Sequence, residues 1–195
     1  KILKEDGITK EMLGDYNKRI HLLQRLMTSP ERIILEIIEQ EEELIDVSFF
    51  SLLSRLIQSA AANGDTKSNE TLTSLQNTLF MKTKTGKEIK KTADDTEEVI
   101  SALQEAGKDG LTREKLLDLA LNVHTETQLS TLVGFTRTGM DYIFFLMLRE
   151  RLDSTTDTKK KQDLTTLREK LLKLTEDIDK EIQKEFVKNK KMLED

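Results

Sequence analysis

The stretch Ile45–Ile57, IDVSFFSLLSRLI, has a close counterpart further along the chain in Met140–Leu152, MDYIFFLMLRERL. Both run as an apolar residue, Asp, two further residues, Phe-Phe, two further residues and Leu. Four of the seven phenylalanines lie in these two copies. A whole signature that occurs twice in one chain predicts a repeated structural unit.

The composition of each copy indicates a helix with an N-cap and a wedge, by which we mean its two adjacent buried phenylalanines. An Asp that precedes an apolar helical stripe is a preferred N-cap residue. Two adjacent phenylalanines point about 100° apart on a helix, so the pair can contact two neighbouring helices. We therefore interpret the signature as structural. Its residues are Asp46, Phe49, Phe50, Asp141, Phe144 and Phe145.

The flanking segments support a longer repeat. When Asp46 is aligned on Asp141, the isoleucines of 34–38 fall on apolar residues of 129–133. A three-residue deletion at 63–65 then aligns the leucines of 72–79 with those of 164–171. The predicted unit holds four helices in roughly 60 residues. The alternative is that any two amphipathic helical stretches can be slid into register.

Composition favours an all-α fold. Hydrophobic residues make up 36% and charged residues 34% of the chain, with one proline and eight glycines to interrupt helices. Apolar residues recur at helical spacing throughout. We predict a bundle or array of about nine helices, built from two duplicated four-helix units plus a long C-terminal helix. The predicted domains are 1–91 for the first unit, 92–110 for a connecting helix, and 111–195 for the second unit with its C-terminal extension.

Local signals place several helix boundaries. Ser29-Pro30 predicts a start with Ser29 as cap and Pro30 as the first helical residue. Thr125 and Gln128 fit a capping box. The basic segment 81–91 reads as a frayed helix end or a linker, with the next helix opening at Asp94. The first helix is expected from Thr9 and the last from about 160 to 193.

The motifs of common enzymes and metal sites are missing from the sequence. There is no cysteine, and the two histidines, His21 and His124, lack the Glu-x-x-His and H-E-x-x-H patterns. The chain also lacks a phosphate loop, a G-x-S-x-G elbow and an EF-hand loop. We therefore expect no enzymatic activity, no catalytic residue, no metal site and no cofactor.

Charge clusters offer candidate contact sites. The acidic run 39–43 ends a predicted helix, where acids are unfavourable, so its last three residues are candidates for a partner contact or a local salt bridge: Glu41, Glu42 and Glu43. Lysines cluster at 82–91, 159–161 and 188–191, and Lys87, Lys90 and Lys91 are the contact candidates. A solvated surface competes with an RNA or anionic-membrane contact as the interpretation of these lysines.

The C-terminal helix carries the anchor spacing of helix-in-groove binding. Its apolar residues lie three or four positions apart and are Leu171, Leu174, Ile178, Ile182 and Phe186. Packing on the chain's own bundle is the competing interpretation, chiefly for the first three. Ile182 and Phe186 lie beyond the repeat, so we predict that they form an interface.

Three segments resemble helical parts of uncharacterised proteins of cyanobacteria and plastids. They are Leu111–Leu119 (LTREKLLDL), Gly139–Asp153 (GMDYIFFLMLRERLD) and Leu167–Asp177 (LREKLLKLTED). The resemblance covers mainly the second half. It implies no known activity and a reducing setting, either the cytoplasm or the plastid stroma.

These observations favour a non-enzymatic protein–protein interaction module: a scaffold, an assembly factor or a regulatory subunit. One alternative is an RNA-associated helical protein that uses the lysine clusters, and another is an enzyme of unknown class. The longest apolar run, Tyr142–Leu148, is far shorter than the roughly 20 residues of a membrane helix, so we expect a soluble protein. Because the chain begins with Lys1, we expect it to be a trimmed or processed segment.

Overall fold

The computed structural model describes the backbone of residues 10–194 and the side chains of residues 13–190. This part of the chain is all-α, as predicted, with nine α-helices and no strand. The helices are α1 Lys10–Thr28, α2 Glu31–Gln40, α3 Val47–Ala62, α4 Thr66–Lys82, α5 Lys84–Gly107, α6 Arg113–Asn122, α7 Glu126–Thr136, α8 Tyr142–Ser154 and α9 Thr158–Glu194. Short 3₁₀ turns at Glu42–Leu44 and Arg137–Gly139 precede α3 and α8.

The chain divides into two compact units, Lys1–Lys91 and Thr92–Asp195. The division falls within α5, which is one continuous helix. Residues 92–110, predicted as a connecting helix, contribute Val99 and Leu103 to the core of the second unit.

The core of the first unit is built on α3. Phe49 is fully buried, and Phe50 stacks on Phe80 of α4 with 5.1 Å between ring centroids. Leucines and isoleucines of α1, α2 and α4 complete the cluster: Leu22, Leu23, Leu26, Ile37, Ile38, Leu72, Leu75 and Leu79. The two phenylalanines thus form the predicted wedge.

The core of the second unit is built in the same way on α8. Phe144 is fully buried, whereas Phe145 is half-buried and meets it edge-to-face at 5.3 Å. The surrounding side chains come from α5, α6, α7 and α9. The buried ones include Val99, Leu116, Leu117, Ala120, Leu129, Leu132, Val133 and Leu171.

Side-chain caps start the helices where the sequence predicted them. Asp46 accepts the N–H of Phe49 at 2.9 Å, and Asp141 accepts the N–H of Phe144 at 3.1 Å. Thr125 forms the predicted capping box with Gln128 at the start of α7. These contacts confirm the caps, each of which stabilises its helix by about 1 kcal/mol.

Two predicted helix starts are wrong. Pro30, not Ser29, caps α2, because its ψ of 151° is extended and its carbonyl accepts the N–H groups of Ile33 and Ile34. The helix expected to open at Asp94 begins ten residues earlier, so most of 81–91 is regular helix. The last helix spans 158–194, close to its predicted bounds. The first helix is described from residue 10, and its predicted start, Thr9, lies outside the described residues.

Candidate interaction surface

Each signature Asp also binds an arginine from an earlier helix of its own unit. Arg19 of α1 donates from Nε to Oδ1 of Asp46 at 3.0 Å and from Nη2 to Oδ2. Arg113 of α6 donates to Asp141 from the same two nitrogens, with 2.9 Å between Nε and Oδ1. Such two-bond pairs fix orientation as well as charge. They tie the start of α3 to α1 and the start of α8 to α6.

These contacts lower the pKa of both carboxyl groups. Burial raises the pKa of Asp46, but hydrogen bonds from Arg19 and the Phe49 N–H outweigh burial and bring the pKa below its ordinary value. The hydrogen bond from Arg113 is the largest cause that holds the pKa of Asp141 well below its usual range. A general acid or base at neutral pH needs a pKa near 7. Both carboxylates are therefore ionised at neutral pH, the state in which each accepts from its arginine.

The first unit ends α4 at a buried threonine. Thr83 Oγ1 donates to the Leu79 carbonyl at 2.9 Å and accepts the N–H of Gly86 at 2.9 Å. Glu42 Oε1 accepts the N–H of Lys84, also at 2.9 Å. A Cβ on Gly86 would lie only 2.3 Å from the Leu79 carbonyl oxygen. Two caps and one glycine thus turn the chain from α4 into α5.

In the second unit the corresponding helix, α9, continues. Thr175 takes the place of Thr83 in the aligned repeats, and its Oγ1 also donates to the carbonyl four residues earlier, at 2.9 Å. Arg137 takes the place of Glu42. It donates from Nε to the Thr175 carbonyl at 3.3 Å and to Oδ1 of Asp179 at 2.9 Å. Arg137 therefore holds α9 against its unit at Asp179.

Beyond Asp179, α9 projects from the core of its unit. Every described side chain from Lys180 to Lys190 is exposed, and we call this segment the α9 end. Ile182 is 56% exposed and Phe186 is 70% exposed. These are the two residues predicted to form an interface, and they lie one turn apart on the same side of the helix.

A groove of about 560 Å³ lies beside the start of α8 in the second unit, and we call it the end groove. Its apolar lining includes Leu116, Phe135, Ile143 and Met147. Phe135 is 66% exposed, and Ile143 is also exposed. Phe135 and Ile143 are thus open to solvent, whereas Leu116 and Met147 belong to the unit's own core.

The end groove and the α9 end lie at the same end of the second unit. Thr138 and Gly139 line the groove. Arg137, which directly precedes them, binds α9 at Asp179, the last residue before the α9 end. Exposed Tyr142 at the first turn of α8 extends the apolar surface there.

Three exposed apolar positions of this surface are polar in the first unit. Gln40 takes the place of Phe135, Ser48 the place of Ile143, and Ser51 the place of Leu146. These three polar side chains are exposed. At these three aligned positions the exposed side chains are apolar in the second unit and polar in the first, whereas Val47, which aligns with Tyr142, is apolar and exposed as well.

Two of the three acidic candidates already have local contacts. Glu41 Oε1 accepts a hydrogen bond from Arg25 at 2.8 Å, and Glu42 caps α5 as described above. Glu43 is exposed in the 3₁₀ turn. Glu41 thus contacts α1 and Glu42 contacts the start of α5, which leaves Glu43 as the acid of this group without such a contact in the described part of the chain.

The lysine candidates lie on exposed helix surface. Lys87, Lys90 and Lys91 are all exposed on the first half of α5, with Glu88 among them. Lys191, in the third lysine cluster, lies outside the described side chains. The described parts of the clusters at 82–91 and 159–161 belong to different units.

A crevice of about 210 Å³ in the second unit contains the exposed His124. Gln128, at its wall, is buried and fully engaged: its amide nitrogen donates to Glu98 at 2.6 Å and its oxygen accepts the N–H of His124 at 2.8 Å. The described side chains include no group of three or more His, Asp or Glu placed to hold a metal ion. No helix in the described range is apolar over a length that would cross a membrane.

Family models, curated proteins and solved structures yielded no match to this chain. The geometry of the units is therefore the basis for a functional proposal. Sequence reasoning did not identify Arg19 and Arg113 or the apolar lining at Phe135 and Ile143. The arginines were detectable, since each precedes the aligned leucine pair of its repeat by the same interval. The lining was detectable as well, because it aligns with polar residues in the other copy.

Proposed function

We propose that this protein is a non-enzymatic helical module that binds another polypeptide through the end groove and the α9 end. The observation that carries the proposal is the exposed apolar surface of the second unit, where Phe135 and Ile143 take the places of the polar Gln40 and Ser48 of the first. The resemblance of the second half adds a cytoplasmic or plastid-stroma setting to the proposal.

Exposed apolar patches on otherwise polar domains commonly mark binding sites. The large apolar side chains exposed at this end of the second unit include these four: Phe135, Ile143, Ile182 and Phe186. Docking would remove them from water, and each fully buried side chain of this size contributes about 1.5–3 kcal/mol by transfer. The gain is largest for the two phenylalanines, which are the more exposed of the four.

The groove suits a helical ligand. Its lining comes from one turn of α6, the end of α7 and the first half of α8, so apolar side chains face it from three elements. Amphipathic helices bind such grooves through anchors one turn apart. A scaffold, an assembly factor or a regulatory subunit would use this mode of recognition.

Matched charge substitutions test the proposal. The variant Phe135→Asp/Ile143→Asp places two carboxylates in the end groove, and Gln40→Asp/Ser48→Asp places them at the aligned positions of the first unit. Each full-length protein is immobilised, and the proteins it captures from its native source are quantified. We expect the groove variant to lose captured partners at least tenfold and the control to retain them.

Circular dichroism melts of both variants separate loss of binding from loss of fold. All four positions are exposed, so both variants should keep the helical signal of the parent. Equal capture by the groove variant, the control and the parent would contradict the proposal.

A further inference from the structure

We propose that the polypeptide that docks in the end groove is the α9 end of a second copy of this chain, in a reciprocal twofold dimer. This inference rests on the proposed function and names the partner. It is carried by the presence, on one unit, of an apolar groove and a projecting helix with apolar anchors.

The direction of the anchors supports a reciprocal contact. Ile182 follows Leu164 by about five turns of an ideal α-helix, so both point to the same side. Leu164 packs against the core of the second unit, together with Leu171 and Ile178. The stripe that faces the core therefore continues along the α9 end. There Ile182 and Phe186 face the region above the end of their own bundle.

A second copy that approaches this end meets the groove and the anchors together. Arg137 joins the two surfaces, since its neighbours Thr138 and Gly139 line the groove while its side chain binds Asp179. A twofold axis near this corner would place each α9 end over the other copy's groove. The contact would then form twice, and each copy would bury the same apolar side chains against the other copy.

Charge agrees with this arrangement. Glu185 directly precedes Phe186 and is exposed on the flank of the stripe. Arg113 lines the groove, and among the hydrogen bonds of the described residues it uses Nε and Nη2 for Asp141. Its Nη1 can therefore still donate to an incoming carboxylate. A partner's Glu185 would bring that carboxylate to the groove as Phe186 enters it.

A closed pair of copies is favoured over an open chain of copies. Each copy brings its end groove together with its α9 end, so the two contact surfaces occur in equal number. A reciprocal exchange satisfies both in a closed pair, whereas a one-way contact would extend into a filament.

Engineered cysteines test the contact directly, because the chain has none of its own. Full-length Phe135→Cys and Phe186→Cys are mixed under mild oxidation, and disulfide-linked pairs of the 22.4 kDa chain are quantified on denaturing gels. The control mixture replaces Phe135→Cys with Gln40→Cys, at the aligned position of the first unit. We expect the groove mixture to form linked pairs at least five times faster than the control.

Sedimentation of the parent between about 1 and about 200 µM provides a second readout. We expect a dimer that Phe186→Asp converts to a monomer while its circular dichroism spectrum stays unchanged. Equal linking rates in both mixtures, together with a monomer at all concentrations, would overturn the second-copy proposal. In that case, loss of captured proteins by Phe135→Asp/Ile143→Asp would still support the proposed function, with a different partner. Unchanged capture would contradict both proposals.

Discussion

The two units differ clearly at Glu42 and Arg137, which take the same place in the aligned 3₁₀ turns. Glu42 accepts the first N–H of α5 and thereby favours a helix start next to Thr83. Arg137 donates to the carbonyl of Thr175 and to Asp179, and so favours a helix that continues. A carboxylate suits a helix N-terminus, and a guanidinium suits exposed carbonyl groups.

This difference has a consequence for function. In the first unit the chain turns back into α5 immediately after α4, and Ile89 packs against the unit's own core. In the second unit the helix extends beyond the core and presents Ile182 and Phe186 to solvent. One charge reversal in a short turn thus accompanies the change from a closed bundle to one with a projecting helix.

The largest expected effect tests whether the two cores are equivalent. Phe49→Ala and Phe144→Ala each remove a fully buried ring, so each should lower the free energy of unfolding by about 3–5 kcal/mol. Urea denaturation measures the change, with exposed Lys159→Ala as the control, expected to stay within about 0.5 kcal/mol. A small loss for only one of the two phenylalanines would mean that the units are not built alike.

The adjacent phenylalanines, Phe50 and Phe145, should contribute differently to the free energy of unfolding. Phe50 is buried and stacks on Phe80, whereas Phe145 is half-buried. We therefore expect Phe50→Ala to cost more than Phe145→Ala, with Phe145→Ala still costing more than Lys159→Ala. The reverse order in the same denaturation experiments would argue against the stacked pair in α3 and α4.

The turn from α4 to α5 should depend on Gly86. A Cβ there would collide with backbone atoms, so Gly86→Ala should lower the free energy of unfolding by about 1–3 kcal/mol. Gly134→Ala in α7 is the matched control, because nothing lies within 4 Å of its added Cβ and alanine favours a helix. If both substitutions stabilised the protein, the close approach at Gly86 would be refuted.

Arg137 should matter more for the position of α9 than for overall stability. Arg137→Gln removes the pair with Asp179, and partly exposed ion pairs of this kind contribute about 1 kcal/mol or less. Hydrogen exchange should speed up in α9 around residues 175–182, while α4 stays unchanged. Uniform exchange in the variant and the parent would mean that Arg137 does not hold α9.

The smallest expected effect is a change in stability at acidic pH. The pKa values of Asp46 and Asp141 are lowered in the folded protein, so their contribution is present above the unfolded value of about 4 and is lost as pH falls through the lower folded values. The variant Asp46→Asn/Asp141→Asn should thus be less stable than the parent at pH 7. The difference in the free energy of unfolding between the parent and the variant should become smaller below about pH 4. A gap that widened in acid would contradict the two arginine pairs.

The predictable features are those that depend on neighbouring residues. The caps at Asp46 and Asp141 and the capping box at Thr125 need only local backbone geometry, and the sequence was sufficient for them. The start of α5 was missed although its Thr83 cap is local, because the second cap comes from Glu42, which lies far away in the chain. A weak helix signal in a lysine-rich segment then looked like a linker.

The candidate surface was only partly predictable for a similar reason. Ile182 and Phe186 stood out because the repeat ends before them. Phe135 and Ile143 look like ordinary core residues, and only packing decides which face of α7 and α8 points outward. A position-by-position comparison of the aligned segments indicates the outward face, because the polar Gln40 and Ser48 align with Phe135 and Ile143. Descent of both units from one duplicated ancestor remains our proposal.

Hydrogen exchange of the full-length parent, measured by mass spectrometry at about 1 µM and at about 200 µM, tests the central claim most directly. If the second unit alone supplies the docking surface, residues 135–147 and 180–190 should exchange more slowly at the high concentration, while residues 40–52 should not change. Protection of 40–52, or equal exchange at both concentrations for 135–147 and 180–190, would contradict docking of a second copy at this surface.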